Sequence, residues 1–255
     1  MNRMIRFVTL DILKNKTIIA YTLLLAVLSW SVFSLEDNHT KGILTLMNLL
    51  LLTVPLVSII FSTIYIYNCA EFIDLLVSQP ISRSSIWISL FAGVSFSQLL
   101  AFWIGVGIPV LIFAPFTIAI YILATGSLIT LIFIALGFWA TVSVRDKSKG
   151  IGLAIMSWLF FALLFDGIIM FLLFQFADYP VEQAMMVITL LSPIDLARIL
   201  ILLQMDISAL LGYTGAIFRS FLGNHTGMLV SFITLLLWAA IPFTRSLVKF
   251  KNRDL

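Results

Sequence analysis

Six apolar stretches, separated by short polar breaks, dominate the pattern along the chain. They run Thr17–Leu35, Ile43–Asn68, Ile86–Phe113, Phe116–Val144, Ile151–Phe176 and Gly227–Phe243. Each can cross a hydrocarbon core of about 30 Å as a helix of roughly 20 residues. The pattern therefore predicts an all-α polytopic membrane protein with six transmembrane helices. The third and fourth stretches nearly fuse, and Pro109 and Pro115 bracket the hairpin expected between them. With no internal repeat and no linker, residues 1–255 read as one membrane domain.

The polar breaks carry the functional information. After the second stretch comes Glu71-Phe72-Ile73-Asp74-Leu75-Leu76-Val77-Ser78-Gln79-Pro80-Ile81-Ser82-Arg83. Glu71, Asp74 and Ser78 fall at i, i+3 and i+7, so a helix aligns them in a polar stripe, which we expect opposite Phe72, Ile73, Leu75 and Leu76. Pro80 stops that helix, and Ser82 is placed to cap the next. Segment 70–85 is thus expected to form a short amphipathic helix on the membrane surface, shaped to dock onto a soluble partner. Residues 1–16 hold four cations and one anion, with Met4, Ile5, Val8 and Ile12 on a rough common face, and read as an interfacial helix.

The longest break, 177–226, is expected to be external. Its Ser192-Pro193-Ile194-Asp195 has the Ser cap, first-turn Pro and early acid that open a helix. Leu196–Met205 is apolar but only half a span long, and a second short helix is expected over Ile207–Phe221, ending at Gly223-Asn224. Apolar helices this short suit re-entrant elements, or a lid over the membrane helices.

Composition agrees with the pattern: 62% of residues are hydrophobic and 11% charged, against about 25% charged in a soluble domain. The basic residues set the orientation. Arg3, Arg6, Lys14, Lys16, Arg83, Arg145, Lys147, Lys149, Arg245, Lys249, Lys251 and Arg253 fall on one side, leaving only Lys41, Arg198 and Arg219 on the other. Both termini are therefore expected in the cytosol. The isoelectric point near 9.1 then reflects topology and anionic lipid headgroups rather than nucleic acid. The first apolar run is too long for a signal-peptide core and reads as an uncleaved span. The single cysteine, Cys69, excludes an intrachain disulfide and reads as a small packed residue.

Catalytic signatures are missing from the sequence. There is no G-x-x-x-x-G-K-[ST] loop, no H-E-x-x-H and no G-x-S-x-G, so an enzyme is not expected. Two histidines, His39 and His225, and one cysteine cannot build a His/Cys metal cluster. Met185, Met186, Met205 and Met228, with His225 nearby, could serve a soft metal, but ordinary apolar filling accounts for them better. No bound metal or cofactor is expected. Asp166 is the intramembrane polar candidate, because a carboxylate within a span costs roughly 3 kcal/mol to insert. No span offers it a basic partner, so a helix break or a subunit contact is its structural alternative. Asn48, Gln98 and Gln175 read as interhelical hydrogen-bonding residues.

Three features together resemble the ABC-2 class of ABC transporter permeases. They are the six-span layout with both ends inside, the acidic-start segment Glu71–Arg83, and Leu-Ser-Pro-Ile-Asp-Leu-Ala-Arg at Leu191–Arg198 between the fifth and sixth spans. Within that class, Ser192–Phe218 and Leu75–Arg83 are most similar to the permeases of nitrous oxide reductase maturation transporters, which serve copper processing. The resemblance implies a permease domain over residues 1–255 that sits in a bacterial inner membrane as a homodimer. ATP and Mg would be bound by a separate cytosolic ABC ATPase, and a periplasmic copper-handling accessory protein would sit on the outer loops. Glu71, Phe72, Asp74, Leu75, Ser78, Gln79 and Arg83 would then form the ATPase-coupling helix. Ser192, Pro193, Asp195, Arg198 and Asp206 would meet the external partner.

The expected mechanism is force transmission to periplasmic copper-site maturation of nitrous oxide reductase, with or without passage of a small or sulfur-bearing species. An ABC-2 exporter of lipid, drug or polysaccharide is the alternative. A stand-alone ion-coupled carrier using Asp166 would need inverted repeats, which the sequence lacks.

Overall fold

The structure is a computed structural model that describes residues 2–36, 38–176, 187–205 and 225–252. Side-chain oxygens open most of its long helices. Asn15 accepts from the Thr17 amide at 2.9 Å to start α2 (Lys16–Leu35), and Asn38 does the same for Thr40 at the head of α3 (His39–Asn68). Ser82 caps α5 (Arg83–Phe102) through the Ser85 amide at 3.3 Å, and Asp146 caps α8 (Lys147–Leu159) through Lys149 at 2.8 Å. Between these lie α1 (Asn2–Leu13), α4 (Ala70–Val77), α6 (Ile108–Phe113) and α7 (Phe116–Ser143). α9 (Phe165–Gln175), α10 (Pro193–Gln204) and α11 (His225–Lys251) complete the set among the described residues. No strand occurs among the described residues.

Among the described residues, six helices are long and apolar enough to cross a membrane: Lys16–Leu35, His39–Asn68, Arg83–Phe113, Phe116–Ser143, Lys147–Leu172 and Gly227–Lys251. The protein is an all-α polytopic membrane protein. The second, third and fifth spans begin three or four residues before their apolar stretches, at capped polar or basic ends, and the sixth continues past its stretch to Lys251.

Pro109 does not bracket a hairpin. α5 runs through a widened π turn, Trp103–Gly107, into α6, so the third span continues to Phe113. Proline lacks the N–H and its ring pushes against the carbonyl four residues back, here Gly105; widening the turn relieves that clash. The connection to α7 is Ala114-Pro115 alone.

α7 is the central post, packed against α3 and α11 above all, with α5, α8 and α10 around it. Gly137 allows the closest approach to α3, since a Cβ there would collide with the Ser62 hydroxyl and lie 3.0 Å from the Ile59 carbonyl. The fifth span is peripheral. Only 6% of its apolar window is buried within the chain, against 56% for α7. α1 lies along α5 and buries Val8 and Ile12.

Candidate functional site

α1, α4, the α7–α8 turn and the end of α11 gather at one end of the bundle, the basic end. The Lys147 ammonium donates to the Asn68 side chain at 2.7 Å, and the Tyr67 hydroxyl donates to the Val144 carbonyl at 2.8 Å. Arg83 donates to the Lys251 carbonyl at 3.4 Å, a cation placed at the C-terminal dipole of the last helix. α4 therefore stands on a braced base.

Of the residues proposed for docking, Glu71, Asp74 and Gln79 are exposed. Ile73 is the buried anchor of α4, and the Phe72 ring lies 5.9 Å from that of Phe7 on α1. Leu75 departs from the expected apolar side and is 66% exposed. At 3.6 residues per turn it falls one turn after Glu71, on the same face. The free face is thus acidic with a leucine among the carboxylates. Ser78 closes the helix through a hydroxyl bond to the Leu75 carbonyl at 2.7 Å, and Arg83 is partly covered.

The sequence pattern did not single out the cluster under α4. Trp87, in the first turns of α5, stacks on Phe250 at 4.3 Å and meets Phe138 edge-on at 5.0 Å. Its indole N–H donates to the Ser246 hydroxyl at 3.0 Å. One tryptophan thereby joins α5, α7 and α11 immediately behind the α4 turn. Tryptophan in the first turn of a span was the available signal.

A second polar site lies toward the opposite end. Asp166 is about 28 Å beyond Lys147 along the helix axis, within the fifth span. It also has a basic partner, contrary to the sequence expectation: Arg198 on α10 donates to it at 3.2 Å and to Asp195 at 3.3 Å. Arg198 stands on no span; it reaches Asp166 because α10, expected as a re-entrant or lid-like helix, packs against α7 and α11. Ser192, Pro193 and Asp195, expected to meet an external partner, are buried. Ser192 caps α10 through the Asp195 amide at 3.3 Å. The Trp238 indole donates to the Leu190 carbonyl at 3.1 Å, which fixes the entry of α10 beside the last span. Asp206 and the second short helix expected over 207–221 lie outside the described residues.

Burial pushes the Asp195 carboxyl up to about 7; its hydrogen bond with Ser192 opposes the rise, the neighbouring Asp166 adds to it, and Arg198 opposes it. Asp166 sits just after a widened turn, Phe160–Leu164, with its side chain 42% exposed. Gln98 is wholly buried and neither side-chain polar atom has a partner, so the interhelical bond expected of it does not form among the described residues. Asn48 and Gln175 are exposed. The Tyr121 hydroxyl donates to the Met228 sulfur at 3.4 Å, while Met185 and Met186 lie outside the described residues. The chain matches no family model and no curated protein.

Proposed function

We propose that this chain is the membrane permease of an ABC transporter in a bacterial inner membrane. In this reading both termini are cytosolic, the chain works as a homodimer, and a separate cytosolic ATPase hydrolyses ATP. One observation carries the proposal: between the second and third spans, a short braced helix presents Glu71, Asp74 and Leu75 outward from the basic end. A soluble subunit with a basic-rimmed apolar cleft would fit that face. The hydrogen bonds of Lys147, Tyr67 and Arg83 and the Trp87 cluster would pass its motion to α3, α7 and α11.

The finer reading is that the motion drives periplasmic copper-site maturation of nitrous oxide reductase through an accessory protein on the outer loops. It rests on the resemblance of Leu75–Arg83 and Ser192–Phe218 to permeases of that system. Force transmission fits spans whose one described intramembrane carboxylate, Asp166, is paired with Arg198.

The test is affinity purification of the tagged chain from its native membrane, with recovery of a P-loop ATPase read by mass spectrometry. Charge reversal of Glu71 and Asp74 together should reduce ATPase recovery about tenfold or more, with membrane insertion unchanged. Undiminished recovery would remove the coupling role. Loss of the reductase's copper-site signal in the same variant would support the finer reading, and normal maturation would count against it.

A further inference from the structure

The last helix carries one row of side chains that changes character partway along. Leu237, Trp238 and Ile241 line its apolar half, and Arg245, Val248 and Lys249 continue the same row toward the basic end. This i, i+3, i+4 spacing puts them on a single face. α7 runs beside α11 in the same direction, with Tyr121 against Met228 and Ser143 against Lys249. It contributes Leu136 and Trp139 to the apolar half and Ser143 to the basic half, where Arg145 follows from the turn after α7.

Between the two helices a cleft of about 770 Å³ at the basic end adjoins an apolar groove of about 530 Å³, and Arg245 lines both. Among the described residues no carboxylate lines either. From Arg245 back to Thr234 the row is about 16 Å long, against about 15 Å for one leaflet of the hydrocarbon core. Leu190 and Leu191, held by Trp238, close the inner end.

We propose that the α7–α11 cleft binds one anionic glycerophospholipid from the leaflet at the basic end. Its phosphate would lie at Arg245 and Lys249, and one acyl chain along Trp139, Leu237 and Ile241. A free anion would leave the apolar half empty. A zwitterionic lipid would gain little from the two cations, whereas basic clusters at headgroup depth attract anionic lipid. Val248, Ile241 and Leu237 are 59%, 47% and 51% exposed, so the chain itself leaves the groove open to the bilayer. The site needs only the membrane disposition of the spans and is independent of any ATPase.

Native mass spectrometry of the full chain, released from micelles containing equal dioleoyl phosphatidylglycerol and dioleoyl phosphatidylcholine, tests this. One tightly retained phosphatidylglycerol per chain is expected. Arg245→Gln with Lys249→Gln should weaken retention about 25-fold, from roughly fivefold per surface cation. Ile241→Trp should block the groove and reduce retention with no change of charge. Lys14→Gln with Lys16→Gln, the same charge loss elsewhere, should leave it intact. Equal retention of phosphatidylcholine would overturn the proposal, as would several equivalent adducts or displacement by glycerol 3-phosphate. Unchanged retention in folded Ile241→Trp would also overturn it, even if the double-glutamine variant did not fold.

Discussion

Gln98 sits with both ends of its amide unpaired in the middle of the α5 packing surface. A buried polar group without partners costs about 1–3 kcal/mol. Gln98→Leu should therefore raise the melting temperature in detergent by a few degrees; an unchanged or lower value would mean that the amide is satisfied in the membrane. Asp195 makes the converse case. Its folded-state carboxyl is raised, so the neutral form favours folding below the ordinary carboxylate range, and that contribution is lost as pH rises through about 7. Asp195→Asn fixes the neutral state and should flatten the fall in melting temperature between about pH 4 and 7. An equally steep fall in the variant would place the titration on another group. The Ser82 and Ser192 caps were legible because a cap is read within four residues. The Arg198–Asp166 pair was not, because the residues are far apart in sequence and meet only when α10 turns back into the bundle.

At the scale of elements, α1 depends on one missing side chain. Gly93 lets α5 approach so closely that a Cβ there would stand 2.9 Å from the Val8 Cβ, and Ser97 donates to the Thr9 carbonyl at 3.4 Å. Gly93→Val should lift α1 while leaving the span in place. In a Cys69→Ser background, Thr9→Cys should then react with maleimide several-fold faster than it does with Gly93 intact, and equal rates would show that the contact does not hold α1. Hydropathy marked the six spans because burial in lipid acts on each segment separately. It missed the position of Leu75, which only helical phase reveals, and the continuation through Pro109, where a widened turn absorbs the clash.

For the whole molecule, the fifth span is the least covered: its first half packs on α3 and α7, and most of its far half faces outward. Leu163, Met170 and Phe171 are 56–66% exposed while α7 is enclosed. In the homodimer reading, this face meets a second copy. Leu163→Cys in the Cys69→Ser background should form covalent dimers under mild oxidation in the membrane, and Val230→Cys on α11 should not. Monomer only, with the thiol shown to be reactive, would move the interface elsewhere. No local pattern marked this face, because its residues are as apolar as those that face lipid.

The widened turn at Phe160–Leu164 has one more consequence. A π turn holds one residue more than an α turn, so everything from Phe165 onward is rotated by about 100° relative to an uninterrupted helix. The extra residue works as a phase shifter: it sets the azimuth at which Asp166 leaves the helix, and Arg198 lies at that azimuth. Shortening the turn by one residue would keep the span's composition and almost all of its length, yet swing the carboxylate away from the guanidinium. Two sequences equally apolar in this stretch, differing by a single deletion, would therefore differ in whether the span carries a paired charge or a stranded one.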